Sequence, residues 1–277
     1  GSPVAYWVSD RVFKIFDEGK SLGEVAQPRK GLTTADNERF IRSWSEVALD
    51  RFAPDCSDSA AAILPTKRWF PLNKGGQYRK WSGNRADVLN WENDGTELRG
   101  FPAATLRNTD FHFRAGITWN DISSGSFAMR YAPQGAISEG KGNMCFSDDQ
   151  GLLSTLLGFF NSPVAQSFID FLCPTLNFNV GEVARTPILE ESVKQAAIPV
   201  LVRECVEISD LDWNAFERSW DFQSLPLLTA SSEPTLTLES SYTAWITQNR
   251  DTIAEMKRLE EENNRLFIDA YGLADEL

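Results

Sequence analysis

The C-terminal stretch constrains the fold most strongly, because residues 239–271 contain neither proline nor glycine. Ile253, Met256, Leu259 and Phe267 recur there at the spacing of one helical face. Gly272 follows directly and is a typical C-cap residue. The pattern predicts one continuous helix of about 30 residues, which would be roughly 45 Å long.

An acidic run, Glu260-Glu261-Glu262, lies on this predicted helix. A long helix with such a run suits a spacer or a strut that contacts other proteins. An ordinary solvated charged face explains the same residues equally well. Both interpretations remain open at the level of sequence.

The middle of the chain has a different pattern. Residues 66–148 are rich in aromatic and β-branched side chains, with turn sequences at 75–76, 93–95, 123–125 and 140–142. This spacing predicts strands and hairpins. Two apolar helices should follow at 152–160 and 163–172, with Asp148 and Asp149 capping the first and proline near the start of the second.

The remaining elements complete an α+β fold. Ser9 is a plausible N-cap for a short helix within residues 3–17. Residues 177–180 suggest a return strand. Residues 192–208 suggest a helix that is interrupted or kinked at Pro199, since proline has no backbone donor.

Charge is distributed unevenly along the chain, whose net charge is -12. Residues 182–277 carry 8 Lys and Arg against 19 Asp and Glu, whereas residues 65–85 carry six Lys and Arg and no acid. Salt screens charges over roughly 8 Å, so distant acids need not cancel a local basic face. The acidic balance argues against tight non-specific DNA binding but allows a local DNA-reading surface.

The basic run has the composition of a polyanion reader, because aromatic rings and amides lie among its cations. The alternative is a surface hairpin in which Gly75-Gly76 is the tight turn and the bases are solvated. For the tryptophans of this region we favour core packing over DNA stacking. They are Trp69, Trp81, Trp91 and Trp119.

Several classes of protein are disfavoured. The sequence has one histidine, His112, and four dispersed cysteines without a CxxC pair, which disfavours a zinc site and suits reduced cytosolic thiols. No GxGxxG, GxxxxGK[ST], HExxH or GxSxG motif occurs. No run of 18 apolar residues and no secretory leader occurs, so a cytoplasmic protein without membrane contact is expected.

Motif blocks spread over the whole chain carry a family resemblance. They resemble, in the same order, the PglX-type adenine-specific DNA methyltransferases of BREX phage-defence systems. Ala35 stands where that family commonly has glycine. The blocks are GLTTADNERF (31–40), WFPLNKGG (69–76), RKW (79–81), NWENDG (90–95), GITW (116–119), SSGSF (123–127), PTLNFNVG (174–181) and FIDAYGL (267–273).

The resemblance implies a particular part of such an enzyme. The family's N-terminal catalytic domain has an FxGxG loop for S-adenosyl-L-methionine and an [N/D]PP[YF] motif for adenine, and neither motif occurs here. The chain therefore resembles a lead-in segment and linker (3–60), a β-rich target recognition domain with packed helices (61–190) and a helical spacer ending in the long helix (191–277). No cofactor is expected in this chain.

The implied role is to choose the duplex DNA site that the catalytic domain methylates at adenine N6. Partners would be double-stranded DNA, that domain and other defence-complex subunits. Candidates for phosphate or guanine contact are Lys67, Arg68, Lys74, Arg79, Lys80 and Arg85. Candidates for adenine edges are Asn73, Gln77 and Asn84, and a second set comprises Asn120, Ser123, Ser124, Ser126 and Arg130.

Two other classes remain open. One is a protein-interaction module whose acidic helices dock other subunits of the defence complex. The other is a nuclease or hydrolase with carboxylates that no motif reveals. Thr33, Thr34 and Asn37 are weaker DNA-contact candidates, because helix capping explains them as well.

Overall fold

The computed structural model describes residues 9–63, 66–123, 125–230 and 237–277. Its helices are α1 (Asp10–Glu18), α2 (Leu22–Val25), α3 (Asn37–Phe40), α4 (Glu92–Arg99), α5 (Gln150–Phe160), α6 (Pro163–Leu172), α7 (Val180–Val183), α8 (Glu190–Val193), α9 (Ala197–Asn214), α10 (Pro226–Thr229) and α11 (Leu238–Tyr271). Its strands are β1 (Lys20–Ser21), β2 (Gln27–Arg29), β3 (Ile41–Ser43), β4 (Trp69–Asn73), β5 (Asp87–Asn90), β6 (Gly116–Asn120), β7 (Met129–Ala132), β8 (Ile137–Ser138), β9 (Gly142–Phe146) and β10 (Pro187–Ile188).

The described strands form three sheets. One has the order β2-β9-β6-β7 and is antiparallel throughout. A second has the order β3-β5-β4-β8, in which only β8 runs parallel to its neighbour. β1 and β10 form a short antiparallel pair. Separate sheets with long helices packed beside them make this an α+β fold, as the sequence predicts.

A large apolar core lies where the first sheet packs on α5, α6, α9 and α11. It contains Ile15 of α1, Trp119 of β6, Phe159 of α5 and Phe267 of α11, all 1% exposed or less. Side chains from all three predicted segments thus share one core. The proposed domain boundaries remain a prediction.

The second sheet has its own core, formed mainly by Phe40, Phe70, Leu89 and Trp91. Between the sheets the contacts are polar. The Asn73 side-chain amide donates to Thr118 Oγ1 at 2.6 Å, and Thr118 in turn donates to a backbone carbonyl of β9 at 2.9 Å. Buried hydrogen bonds of this kind hold the end of β4 against β6 and fix where the segment after β4 begins.

Several helix predictions are confirmed. α11 runs for 34 residues and ends at Gly272, whose φ of +64° is the left-handed C-cap conformation. Asp149 caps α5 by accepting hydrogen bonds from the first backbone N–H groups. α6 begins at Pro163, with Ser162 as its N-cap. Ser9 caps α1, which extends to Glu18, and residues 3–8 of that prediction lie outside the described part of the chain.

Other element predictions are wrong. Residues 177–180 form no strand, because Asn179 precedes the short helix α7, and the strand of this region is β10 instead. α9 begins only at Ala197, so Pro199 falls within its first turn, where a missing N–H breaks no helical hydrogen bond. The glycine-to-alanine difference at Ala35 does not abolish the turn there, since Ala35 adopts a φ of +58°.

No single helix within the described residues is long and apolar enough to cross a membrane. α5 and α6 meet such a test only as a pair bent by 75°.

Candidate nucleic-acid interface

Residues 74–86 connect β4 to β5 as a long loop rather than a tight hairpin. The alternative in which Gly75-Gly76 is the tight turn of a surface hairpin is therefore wrong. The chain turns at five residues of positive φ, namely Gly75, Gly76, Trp81, Gly83 and Asn84. Trp81 anchors the loop, because its ring is 2% exposed and its backbone exchanges hydrogen bonds with β7.

Each of the six basic side chains of this run already has a partner inside the protein. Contact with DNA would require these bonds to be exchanged. The partners are the Phe52 carbonyl for Lys67 (2.9 Å), Glu92 and Glu97 for Arg68 (4.0 and 3.9 Å), Asp87 for Lys74 (3.5 Å), Asp212 for Arg79 (2.5 Å), Glu260 for Lys80 (3.2 Å) and Asp210 for Arg85 (2.9 Å).

Of the three amides assigned to adenine edges, only Gln77 is exposed. Asn73 is buried in the polar contact between the sheets. Asn84 is half-buried, and its side chain donates to the Gln77 carbonyl at 2.7 Å. The Gln77 amide is thus accessible to a binding partner such as DNA, whereas Asn73 and Asn84 make hydrogen bonds that shape the loop.

The second predicted set lies next to the first. Asn120, Ser123, Ser126 and Arg130 line one small cavity together with Tyr78 and Arg79. The loop after β4 and the turn after β6 are thereby brought together at one end of the first sheet. Ser124, also in this set, lies outside the described residues.

Arg130 and Asn120 are inside this end of the sheet. Arg130 is 1% exposed and donates to Asn120 Oδ1 at 2.9 Å, while the Asn120 amide donates to the Gly76 carbonyl at 2.7 Å. Burial, and to a lesser degree the nearby Arg79, lowers the pKa of Arg130 to about 10. At neutral pH the guanidinium remains charged. Both residues support the loop from beneath rather than facing solvent.

Five side chains at this end point outward, and we call them the tip surface. Ser123 N donates to the Leu176 carbonyl, and Ile122 bridges to Asn177, so three loops meet there. Exposed apolar groups dominate, with Tyr78, Ile122 and Leu176 between 50% and 59% exposed. The tip surface comprises Gln77, Tyr78, Ile122, Ser126 and Leu176.

Lysines that the sequence reasoning missed lie beside the tip surface. Lys30 and Lys141 both approach the buried carboxylate of Asp121, each at 3.6 Å, while keeping 43% and 58% of their side chains exposed. Burial raises the pKa of the nearby Glu139, and Lys74 and Lys141 partly offset that rise. In the sequence, Lys30 and Lys141 are marked only by the glycines beside them.

The other weak candidates have local roles. Thr34 is buried and donates to Asn37 Oδ1 at 2.6 Å at the start of α3, while Thr33 Oγ1 accepts a hydrogen bond from Arg107. Trp81, Trp91 and Trp119 are 2% exposed or less, which confirms the preference for core packing, whereas Trp69 is half-buried. Within the described residues no cluster of His, Cys, Asp or Glu could hold a metal ion.

Comparison with known proteins shows what the chain is similar to. Over its whole length the chain is similar to part of two adenine-specific methyltransferases. No family model matches it. It is 38% identical over 287 residues to adenine-specific methyltransferase PglX of Lacticaseibacillus casei (strain Zhang), covering 100% of this chain and 24% of that protein. It is 33% identical over 275 residues to adenine-specific methyltransferase BrxX of Escherichia coli O9:H4 (strain HS), covering 98% of this chain and 21% of that protein.

These matches confirm the resemblance to PglX-type methyltransferases along the entire chain. The chain spans less than a quarter of the length of either relative. The similarity therefore concerns one part of a much larger protein.

Proposed function

We propose that this chain is the DNA sequence-recognition portion of an adenine-specific DNA methyltransferase of a BREX phage-defence system. It would follow the catalytic domain and select the duplex site that this domain methylates at adenine N6. The whole-length similarity to two adenine-specific methyltransferases carries the proposal. The absence of the S-adenosyl-L-methionine and adenine-pocket motifs from this sequence supports a recognition role within the larger enzyme.

The chemistry of adenine methylation supports such a division of labour. The adenine must leave the base stack to enter a catalytic pocket, so that pocket cannot read several neighbouring base pairs. A second surface has to hold the duplex and read base edges in a groove. S-adenosyl-L-methionine would be held by the catalytic domain, and this chain would bind DNA and that domain.

The tip surface is the part of the chain best suited to reading. Gln77 presents both a donor and an acceptor, the combination that pairs with an adenine edge. Tyr78, Ile122 and Leu176 offer apolar area for thymine methyl groups or unstacked bases. Lys30 and Lys141 flank this surface and keep 43% and 58% of their side chains exposed, so their ammonium groups would reach phosphates on exchanging the contact with Asp121.

Substitution of Gln77 in the parent methyltransferase tests this assignment. Because Gln77 is exposed, its replacement by alanine should leave the fold intact. We expect discrimination at one base pair to fall by about 1–3 kcal/mol, since one bidentate contact is lost. Sequencing of methylated sites in cells that carry each variant would measure this.

The matched control is Gln223→Ala, an exposed glutamine in the segment between α9 and α10. It should leave the methylated sequence unchanged. An unchanged sequence for Gln77→Ala, Tyr78→Ala and Ser126→Ala alike would contradict the assignment of the tip surface.

A second candidate function is docking of other defence-complex subunits, favoured by one observation. The first half of α11 exposes Leu238, Tyr242, Ile246 and Ile253, with 44% to 74% of each residue accessible. An Ile246→Asp, Ile253→Asp double variant of the parent enzyme should then lose co-purification with those subunits while its methylation site stays the same. Retained co-purification would contradict docking through this face.

A further inference from the structure

We propose that Glu260 of α11, together with Asp210 and Asp212 of α9, positions the loop 74–86 and thereby determines which DNA sequence the tip surface reads. This inference rests on the proposed recognition function. It assigns to the acidic C-terminal helices a part in site selection, where the sequence indicated only spacing or docking.

Glu260 makes the central contact. One carboxylate oxygen accepts a hydrogen bond from the Trp81 indole N–H at 2.6 Å, and the other pairs with Lys80 Nζ at 3.2 Å. The side chain is 29% exposed, so solvent screens these bonds only in part. Charge-assisted bonds of this length are stronger than neutral ones.

Trp81 needs such a contact because of its backbone. Its φ of +67° lies in the left-handed region, which is strained for a residue with a bulky side chain. A residue keeps that conformation only where surrounding contacts enforce it. Removal of the Glu260 carboxylate leaves the buried indole N–H without its acceptor and removes one of the contacts that offset the strain.

α9 holds the same part of the loop from a second side. Arg79 donates to Asp212 at 2.5 Å and to the Ser209 carbonyl at 3.0 Å. Asp210 accepts hydrogen bonds from Ser82 at 2.5 Å and from Arg85 at 2.9 Å. Residues 79–85 are therefore tied to the helices, and we call them the loop root.

The tip of the loop has few bonds of its own. The Gly76 carbonyl accepts from Asn120 and the Gln77 carbonyl accepts from Asn84, while Gln77 and Tyr78 side chains face solvent. Asn84 belongs to the loop root, so its bond to Gln77 transmits the root's position to the tip. The direction in which Gln77 points thus depends on where the root is held.

The helices can act as a fixed reference because they belong to the large core. Leu259, adjacent to Glu260, is 2% exposed, and Cys205 of α9 is fully buried. Neither helix can shift without disturbing that packing. The carboxylates of Glu260 and Asp210 are therefore held in fixed positions, and their hydrogen bonds hold the loop root in place.

The test compares Glu260→Ala with Glu261→Ala. Glu261 is the next residue of the same helix, and among the described residues its one ion pair is with Lys257, at 3.7 Å on the exposed face. Each variant removes one negative charge. Hydrogen–deuterium exchange of this chain should rise about tenfold or more within residues 76–86 for Glu260→Ala, at the hydrogen-bonded amides of Trp81 and Ser82, and stay unchanged for Glu261→Ala. Glu260→Gln, which keeps an oxygen acceptor for Trp81, should show a smaller rise.

The second measurement is the methylated sequence in cells expressing the parent enzyme with each variant. Glu260→Ala should relax the preference at one or two base pairs, whereas Glu261→Ala should not. Lys80→Met probes the same contact from the loop side, without altering the helix, in case Glu260→Ala fails to fold.

The outcomes separate the inference from the function on which it rests. Unchanged exchange in residues 76–86 overturns the positioning role whatever the chain binds. Raised exchange with an unchanged site overturns the effect on site selection if Gln77→Ala does alter the site. If neither Glu260→Ala nor Gln77→Ala alters the site, the proposed reading function of the tip surface is overturned instead.

Discussion

Arg130 illustrates how a candidate DNA contact becomes a structural residue. Its guanidinium is buried with Asn120 as its polar partner, and no carboxylate pairs with it among the described residues. Nothing in the sequence around it distinguishes this arginine from an exposed one. The fold buries it because β7 alternates its faces and Arg130 points towards the polar contact between the sheets.

Arg130→Ala should destabilise the chain by about 2–4 kcal/mol, since it leaves a cavity and deprives Asn120 Oδ1 of its donor. Chemical denaturation would measure the change in the free energy of unfolding. Arg203→Ala, on the exposed face of α9, is the control and should stay within about 0.5 kcal/mol of the original protein. A cost for Arg130→Ala no larger than this control's would refute the supporting role.

His112 should make stability depend on pH. Burial, with a smaller effect from Arg99, lowers its pKa to about 4 from the ordinary 6.5. Between these values the unfolded chain binds a proton that the folded chain does not, so acidification favours unfolding. From pH 7 to pH 5 this residue should remove about 2 kcal/mol of stability.

His112→Phe should lack that contribution while keeping an aromatic ring beside Trp91, 5.0 Å away in the present structure. Denaturant unfolding at pH 7 and pH 5 gives each protein's loss of unfolding free energy on acidification. The loss in the original protein minus the loss in His112→Phe is the contribution of His112. Equal losses for the two proteins would show that folding does not lower the pKa of His112.

Residue roles could be predicted from sequence where they depend on local chemistry. Asp149, Pro163 and Gly272 behave as their helix-end positions indicate. The partners of the basic run could not be predicted, because Glu260 lies 180 residues from Lys80 and only the tertiary fold brings them together. Composition identifies the basic run at 65–85 and the acidic run at 260–262, but it does not show that Lys80 and Glu260 pair with each other.

At the scale of elements, three helices meet at one glycine. A Cβ on Gly158 of α5 would lie 2.7 Å from the side-chain Oδ1 of Asn263 in α11 and 2.9 Å from a Val202 methyl of α9. The Asn263 amide also donates to the Gly158 carbonyl at 3.0 Å. The close approach of α5, α9 and α11 therefore depends on the missing side chain.

Gly158→Ala should cost about 1–3 kcal/mol through overpacking of this contact. Gly181→Ala in α7 is the matched control, because nothing lies within 4 Å of its added methyl group. That change should be neutral or slightly stabilising, by up to about 1 kcal/mol. Thermal unfolding of both variants measures the contrast, and equal melting temperatures would contradict it.

Long, strongly patterned elements were predicted well, and short ones were not. α5, α6 and α11 follow their apolar periodicity and caps. β1, β8 and β10 have two residues each, which is too short for any periodic signal, and their pairing depends on distant partners. The glycine pair 75–76 also allowed a tight hairpin turn, and the sequence alone could not show that Trp81 instead anchors the longer loop 74–86.

At the scale of the whole molecule, charge should limit DNA binding by the isolated chain. The net charge is -12, and the basic run is already paired internally. We expect a dissociation constant of about 10⁻⁴ to 10⁻⁶ M for duplex DNA at physiological salt, the range of non-specific binding. Fluorescence anisotropy titrations at several salt concentrations would measure it, and nanomolar sequence-specific binding would contradict the expectation.

The pairing of β1 with β10 has a consequence for synthesis on the ribosome. Lys20 lies opposite Ile188, and α1 meets the end of α11 through a 2.7 Å bond from Arg11 to the Tyr271 carbonyl. At roughly 5–20 residues per second, the first strand waits about 10 to 30 s for its partner to be translated. The segment of α1 and β1 therefore emerges long before its partners can shelter it, and its native contacts close only after α11 has left the exit tunnel.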